Sequence, residues 1–180
     1  MSELRKIPNV GAQTERDLLA MGYATIDALR GKSADELYAQ ECALRGETLD
    51  RCQLYLLRAV EYFVNTKDPD PHKCKWWYWT DEALEPSPCG TVCLTDCPAC
   101  PQDCKGCRAI EGEVYWLPYI GGDCCPIYHC CVHERGARDC GDCERLPCAH
   151  WELRDPTMTD EEIERGLQKR LRRLETNSKK

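Results

Sequence analysis

Cysteines are the residues of this sequence whose type and spacing most clearly predict chemistry. Of the 16 cysteines in 180 residues, thirteen lie between positions 89 and 148. Two pairs, Cys104-x2-Cys107 and Cys140-x2-Cys143, enclose a glycine. A two-residue gap lets both thiolates of a tight turn face one ion, while amides of the turn point at the sulfurs. The spacing therefore predicts thiolate ligation of a metal.

The N-terminal segment favours metal ligation over disulfide bonds. It has no apolar run after a basic stretch, so it does not resemble a secretory signal. No apolar window of about 18 residues is present, so no membrane-spanning segment and no membrane partner are predicted. We therefore expect a cytoplasmic protein, in which glutathione and thioredoxin keep the thiols reduced.

The cysteine-rich segment is too poor in large apolar residues to fold by burial alone. Residues 86–155 contain fifteen Ile, Leu, Val, Met, Phe, Trp or Tyr. That number is too small to offset the chain entropy lost on folding. Structural zinc contributes roughly 10–16 kcal/mol of apparent folding free energy in small peptides, which would offset the shortage.

Five short motifs organise this segment: Cys89-Gly-Thr-Val-Cys93, Cys97-Pro, Cys104-Lys-Gly-Cys107, Cys125-Pro-Ile-Tyr-His-Cys130 and Cys140-Gly-Asp-Cys143-Glu-Arg-Leu-Pro-Cys148. They resemble a cysteine-rich family of unknown function that is common in anaerobic bacteria and archaea. The resemblance implies a framework of ten metal-binding cysteines: Cys89, Cys93, Cys97, Cys104, Cys107, Cys125, Cys130, Cys140, Cys143 and Cys148. Outside the framework, the candidates for an additional metal site are Cys100, Cys124, Cys131 and His133.

Zinc is the metal that we expect, with about two ions held by eight of the ten cysteines. The alternative is an iron–sulfur cluster in a redox or metal-sensing protein, since thiolates also hold such clusters. The run Cys93-x3-Cys97-x2-Cys100 has the triad spacing of radical-SAM enzymes. Those enzymes need a large α/β barrel, which a short loop-rich segment cannot form.

No catalytic residue is predicted. A catalytic zinc keeps one position open to water and usually has mixed ligands, whereas thiols are in excess here. His-Glu-x2-His, Gly-x4-Gly-Lys and Gly-x-Ser-x-Gly patterns are absent from the sequence. Closed structural sites are favoured, and an uncharacterised metal-dependent enzyme is the weaker alternative.

Near the N-terminus, Ile7-Pro-Asn-Val-Gly11 forms a predicted turn that opens a helix. It resembles a helix-hairpin-helix motif, in which hairpin amides and a helix N-terminus face a nucleic-acid phosphate. Asn9 replaces the usual first glycine, and asparagine tolerates left-handed backbone geometry. The resemblance implies a nucleic-acid contact made by five residues: Lys6, Asn9, Val10, Gly11 and Arg16.

Three further motifs accompany the hairpin: Asp35-Glu-Leu-Tyr38 before Cys42, Asp50-Arg-Cys52, and Lys75-Trp-Trp-Tyr-Trp79. Together they resemble a bacterial and archaeal helix-hairpin-helix family labelled after a clostridial pathogenicity locus. The resemblance implies a helical fold and a surface for a nucleic acid or a protein partner. We expect the aromatic run to seal the end of this domain.

Capping residues and apolar periodicity predict the principal helices. Ser33-Ala-Asp-Glu36 has capping-box spacing and predicts a helix to Arg45. Thr48 is the expected N-cap of a longer helix to Asn65, and its predicted inward stripe is Leu49, Cys52, Leu56, Val60 and Phe63. Cys42 and Cys52 are accordingly assigned to the core.

Thr159-Asp-Glu-Glu162 caps a last predicted helix to about residue 175. Its apolar stripe, Ile163, Leu167, Leu171 and Leu174, is expected to cover the metal domain. The predicted fold is mainly α: a helix-hairpin-helix domain (1–82), a linker (83–88), a loop-rich cysteine domain stabilised by metal (89–155), and a C-terminal helix with a tail (156–180).

The net charge of −7 argues against a large non-specific DNA binder. Residues 1–85 carry 11 basic and 15 acidic residues, a net of −4, and residues 86–180 carry 13 and 16, a net of −3. A small local phosphate contact is compatible with this balance. The sequence thus predicts a cytosolic metal-binding adaptor for a nucleic acid or a protein partner.

Overall fold

A computed structural model describes residues 2–154 and 156–177. The chain divides into two compact units, residues 1–83 and 84–180. About half of the described residues are helical, and no strand occurs among them. The prediction of a mainly α fold with a loop-rich cysteine segment is therefore confirmed.

Four helices build the first unit: α1 (Ala12–Ala20), α2 (Ile26–Leu29), α3 (Ala34–Arg45) and α4 (Arg51–Asn65). Short 3-10 turns cover Glu3–Lys6 and Trp76–Tyr78. The predicted capping box of α3 is confirmed, because Ser33 and Glu36 bond reciprocally. Thr48 is not the N-cap of α4, since the Asp50 carboxylate accepts the Cys52 amide instead.

The core of the first unit contains a different face of α4 from the one predicted, so the helix is rotated about its axis relative to the prediction. Its fully buried members on α4 are Leu54, Leu57, Val60 and Val64, so only Val60 was assigned correctly to the innermost face. Leu56 and Phe63 pack at the edge of this core. Cys52 is exposed and Cys42 is half-buried, which contradicts the core assignment of Cys52. Apolar residues flank both sides of α4, so periodicity alone did not define its inner face.

In the second unit, short elements alternate with loops: α5 (Cys93–Asp96), α6 (Leu117–Ile120), α7 (Pro126–Tyr128), a π-helical turn (His129–Glu134), and 3-10 turns at Cys140–Asp142 and Ala149–Glu152. The long helix α8 follows at Asp160–Asn177. Its predicted cap is confirmed, because Thr159 and Glu162 bond reciprocally.

Helix α8 covers the cysteine-rich segment, as its apolar stripe predicted. Leu174 is fully buried, and Leu167 and Leu171 pack against the same cluster, which includes Cys125 and Trp151. The segment before Cys89 also packs within this unit. Ser87 is 2 % exposed, and the Pro88 carbonyl accepts the Cys140 amide at 2.9 Å.

Within residues 2–154 and 156–177, no helix is both long and apolar enough to span a bilayer.

The aromatic run at Lys75–Trp79 has a mixed environment. Trp79 is buried, contacts the Tyr62 ring, and donates its indole N–H to the Lys73 carbonyl. Trp77 is 49 % exposed and lies beneath the Lys75 ammonium. Trp79 therefore seals the unit, and Trp77 does not.

Candidate metal centre

A first thiol group assembles around Cys93, the first residue of α5. The Cys93 sulfur lies 3.9 Å from the Cys107 sulfur and accepts the Cys107 amide at 3.4 Å. Ser87 Oγ lies 3.2 Å from the same sulfur. The Cys107 thiol hydrogen bond outweighs burial and, with these neighbours, lowers the pKa of Cys93 to about 6. The hydrogen bonds to its sulfur thus favour the thiolate form of Cys93.

The turn between Cys104 and Cys107 brings its cysteines to the same place. Gly106, at φ +96°, donates its amide to the Cys104 sulfur at 3.4 Å. Burial, followed by the negative charge of Cys93 and Cys104, raises the pKa of Cys97. Four framework cysteines therefore share one neighbourhood, which we call the first thiol group: Cys93, Cys97, Cys104 and Cys107.

A second thiol group lines a cavity of about 230 Å³. Arg135 reaches into it and donates from Nη1 to the Cys143 sulfur at 3.3 Å. The negative charge of Cys143, then a hydrogen bond with Cys130, raises the pKa of Arg135. The second thiol group consists of the cysteines of this cavity: Cys130, Cys131, Cys140, Cys143 and Cys148.

Two framework cysteines lie beside these groups. The Cys89 thiol donates to Thr91 Oγ1 at 3.2 Å. A hydrogen bond with Cys93 raises the pKa of Cys107, burial raises the pKa of Cys125 and Cys140, and nearby Cys89 adds to all three increases. Cys125 is buried in the apolar cluster, and its amide bonds to the Gly112 carbonyl. Cys89 is therefore near enough to influence members of both thiol groups.

The cysteines outside the framework take three different positions. Cys131 is buried in the second thiol group and hydrogen-bonds with Cys140, so it shares that cavity with framework residues. Cys100 is buried, whereas the Cys124 thiol points to the Glu111 carbonyl at 3.6 Å. His133 is exposed, and its ring makes tilted contacts with the Tyr128 and His129 rings, at centroid distances of 5.5 and 5.7 Å.

The donors of the two thiol groups fit zinc by chemistry, because clustered thiols and amides aimed at sulfur are what a thiolate site requires. Among residues 2–154 and 156–177, however, no three His, Cys, Asp or Glu side chains already converge as a metal site. Cys93 and Cys107 are 3.9 Å apart as a hydrogen-bonded pair. Metal ligation would replace such thiol hydrogen bonds with bonds to one ion.

The hairpin of the first unit has the geometry that its sequence predicted. Asn9 adopts φ +67°, and the Val10 amide bonds to the Ile7 carbonyl at 3.2 Å. Gly11 then stands before α1, and a side chain added at Gly11 would meet no atom within 4 Å. Lys6, Asn9, Gly11 and Arg16 are exposed, whereas Val10 is buried. Four of the five predicted contact residues are therefore exposed, and Val10 belongs to the core.

Asn9 also has a structural role. Its side-chain amide donates to the Cys74 carbonyl, which joins the hairpin to the segment before the aromatic run. Arg16 donates to Gln13 Oε1 at 2.6 Å on the exposed side of α1. The hairpin is thus held in place by its own unit, with Lys6 and Arg16 as the basic residues beside it.

Two charged clusters were not anticipated from the sequence. Asp17 of α1 pairs with Arg45 of α3 at 2.9 Å beside buried Glu41. In the second unit, the Asp96 carboxylate accepts the Val92 amide, Lys169 at 2.8 Å and Arg173. Members of each cluster lie far apart in sequence. The only sequence signal that could have indicated these clusters is a polar residue on an otherwise apolar face of a helix.

Each unit contains a segment that is similar to a protein family. Residues 1–85 match the family described as pathogenicity locus (Cdd1), and residues 98–153 match a protein family of unknown function (DUF3795). No curated protein and no solved structure matches the chain. Residues 1–85 are therefore similar to the pathogenicity-locus family and residues 98–153 to the family of unknown function, in the order that the two sequence resemblances predicted.

Proposed function

We propose that the protein is a metal-binding adaptor whose cysteine-rich domain folds around structural zinc and whose hairpin domain contacts nucleic acid. The observation that carries the metal assignment is the segregation of framework cysteines into two thiol groups. Cys93, Cys97, Cys104 and Cys107 would supply a first zinc with four sulfurs, the usual number for a closed structural site. The cavity of the second thiol group would supply another zinc.

The surroundings of the sulfurs support closed sites. Backbone amides of Gly106 and Cys107 already donate to sulfur, and such donors stabilise thiolate charge at a metal. The second thiol group has more sulfurs than one tetrahedral ion needs, so a position reserved for water is not required. Arg135 would offset part of the negative charge that a tetrathiolate site carries.

Cysteine substitutions test the grouping. We expect Cys93→Ser and Cys107→Ser each to lower the zinc content by about one ion per chain, because they share the first site. Cys143→Ser should remove the other ion, and the double variant Cys93→Ser with Cys107→Ser should lose no more than Cys93→Ser alone. Cys52→Ser is the matched control, since Cys52 is exposed and lies in the first unit.

Zinc content is measured by mass spectrometry on anaerobically purified protein. Equal zinc in the wild-type protein and the Cys93→Ser and Cys143→Ser variants would contradict the assignment. Iron with inorganic sulfide in place of zinc would support the redox or metal-sensing alternative instead.

The exposed hairpin supports the nucleic-acid part of the proposal. The residues at the start of α1 are exposed, and Lys6 and Arg16 place positive charge near them. We expect Lys6→Glu and Arg16→Glu to weaken oligonucleotide binding and to reduce its salt dependence by about one phosphate contact each. Lys67→Glu, an exposed substitution in the same unit, is the control. Binding unchanged by Lys6→Glu and Arg16→Glu would contradict a phosphate contact at the hairpin.

A further inference from the structure

Positive charge is concentrated in the central part of helix α8, in a chain that is acidic as a whole. Residues 165–173 contain five Lys or Arg and no Asp or Glu, whereas the net charge of the chain is −7. A run of this kind on a helix has two possible uses, which are to dock the helix on its own unit or to meet an anionic partner. The contacts of each side chain separate these uses.

The inward cations dock the helix. Arg170 lies over the Trp151 ring, 4.8 Å from its centroid. Arg173 pairs with the Asp96 carboxylate and donates to the Gly90 carbonyl at 3.2 Å. Both side chains are therefore occupied by the cysteine-rich segment beneath α8.

The outward cations form a separate face. Arg165, Lys169 and Arg172 are exposed and, with Gln168, surround a shallow hollow on α8. Their spacing of four and three residues aligns them along one side of the helix. Lys169 also reaches Asp96 at 2.8 Å, yet its side chain is 57 % exposed. We call these three residues, Arg165, Lys169 and Arg172, the outer cationic face.

Two carboxylates of α8 near this face are hydrogen-bonded. Glu162 bonds to Thr159 in the cap of α8, and Glu164 accepts the Gln168 side-chain amide at 2.9 Å. The residues that line the hollow are three cations and an amide, and one of the cations, Lys169, is also paired with Asp96. At about 0.1 M salt the Debye length is about 10 Å, so the acidic remainder of the chain is largely screened from this face.

The length of the face matches a phosphate backbone. Seven residues separate Arg165 from Arg172, which at about 1.5 Å per residue is about 10 Å. One strand of a duplex advances about 3.4 Å along the axis per phosphate. Because the strand also winds around the axis, its phosphates are more widely spaced than this rise, so the face meets about two of them.

We propose that the outer cationic face of α8 binds the phosphate backbone of a nucleic-acid duplex. This inference rests on the proposed nucleic-acid function and adds a contact in the second unit. Phosphate contacts orient a protein without reading the sequence, so binding should be insensitive to base order. The salt dependence of affinity should then fall as the cations of this face are removed.

The test is fluorescence anisotropy of full-length protein with labelled duplexes of two unrelated sequences, over about 25–150 mM salt. Arg165→Gln with Arg172→Gln should reduce the slope of log K against log salt by about 1.8, or about 0.9 per phosphate contact. Glutamine matches arginine in helix propensity, so α8 is retained and can be checked by circular dichroism. Arg30→Gln with Lys67→Gln removes the same charge from exposed positions of the first unit and is the control.

The outcomes separate this inference from the proposed function. A slope reduced in the α8 double variant but not in the control supports the outer cationic face. A slope unchanged in the α8 variant, with binding weakened by Lys6→Glu, overturns this inference and leaves the hairpin contact standing. Absence of duplex binding by the wild-type protein overturns both, and equally salt-dependent binding of polyglutamate overturns the choice of nucleic acid as the partner.

Discussion

Glu41 and Asp17 place two carboxyl groups side by side inside the first unit. Glu41 is 2 % exposed and accepts the Gln53 side-chain amide at 2.8 and 3.0 Å. Burial raises the pKa of Glu41, and the Asp17 charge adds to this effect although the Gln53 hydrogen bond opposes it. For Asp17, burial alone would raise the pKa, but hydrogen bonds from Gln13 and Arg45 leave it lowered. The two groups therefore affect stability in opposite directions as pH changes.

Glu41→Gln should flatten one part of the pH dependence of stability. Folded Glu41 retains its proton above its ordinary pKa of 4.5, so its contribution to stability is full below that pH and declines as pH rises through the raised pKa. Glutamine cannot ionise and can still bond with Gln53. We expect the variant to lose less stability than the wild-type protein as pH rises from 4.5 through the raised pKa of Glu41.

Denaturant unfolding at a series of pH values measures this difference, and hydrogen exchange of the α3 and α4 amides gives the local readout. Glu47→Gln is the control because Glu47 is an exposed carboxyl on the same unit. An identical pH profile for Glu41→Gln and the wild-type protein would show that Glu41 ionises as readily in the folded state as in the unfolded chain.

At the scale of elements, helix α8 depends on a close approach at Gly90. This glycine has φ +77°, and an added Cβ would lie 2.6 Å from the Arg170 carbonyl oxygen. The Gly90 carbonyl also accepts from Arg173. A backbone contact this short cannot be relieved by a side-chain rotation, so α8 can dock only on a glycine at this position.

Gly90→Ala and Gly166→Ala should change stability in opposite directions. Alanine at Gly90 incurs about 1–2 kcal/mol for left-handed backbone geometry and also displaces α8. Gly166 lies within α8, where an added Cβ meets no atom within 4 Å, so alanine should stabilise the helix by about 0.5–1 kcal/mol. Thermal unfolding measures both, with exchange rates of α8 amides as the local readout. A Gly90→Ala protein as stable as the wild type would contradict the proposed close approach.

Local signals explain what the sequence predicted of these elements. The hydrogen bonds of the capping boxes Ser33–Glu36 and Thr159–Glu162 each lie within one helical turn. A four-residue motif was therefore enough to predict each of these two helix starts. Asp50 displaced Thr48 as a cap because both residue types suit that role and the choice depends on the packing of α4.

Long-range contacts explain what the sequence left open. The family resemblance implied the framework cysteines, yet their division into two thiol groups arises where Cys93 meets Cys107 and Arg135 meets Cys143. The Asp96 cluster joins residues 77 positions apart. Such contacts follow from the path of loops, for which this segment has little periodic pattern.

At the scale of the whole molecule, the two units should differ in their need for metal. The first unit buries a continuous apolar core that includes Leu4, Leu18, Leu37, Leu57 and Val60. The second unit buries a cluster in which cysteines replace many of the large side chains. Its folding is therefore expected to depend on the free energy of metal binding.

Removal of metal should unfold the units separately. We expect a strong chelator to abolish amide protection in residues 89–154 and to leave α3 and α4 protected, because only the second unit contains the two thiol groups. Structural zinc supplies roughly 10 kcal/mol or more of apparent folding free energy, which exceeds the typical stability of a small domain. Hydrogen exchange with and without chelator measures the effect. Retained protection in the second unit after complete removal of metal would contradict it.

The metal content of anaerobically purified protein, determined by mass spectrometry together with inorganic sulfide, tests the central claim most directly. Two closed thiolate sites predict about two zinc ions per chain, no sulfide, and no visible absorption. A metal-free protein that retains its fold, or stoichiometric iron with sulfide, would contradict a zinc-stabilised adaptor.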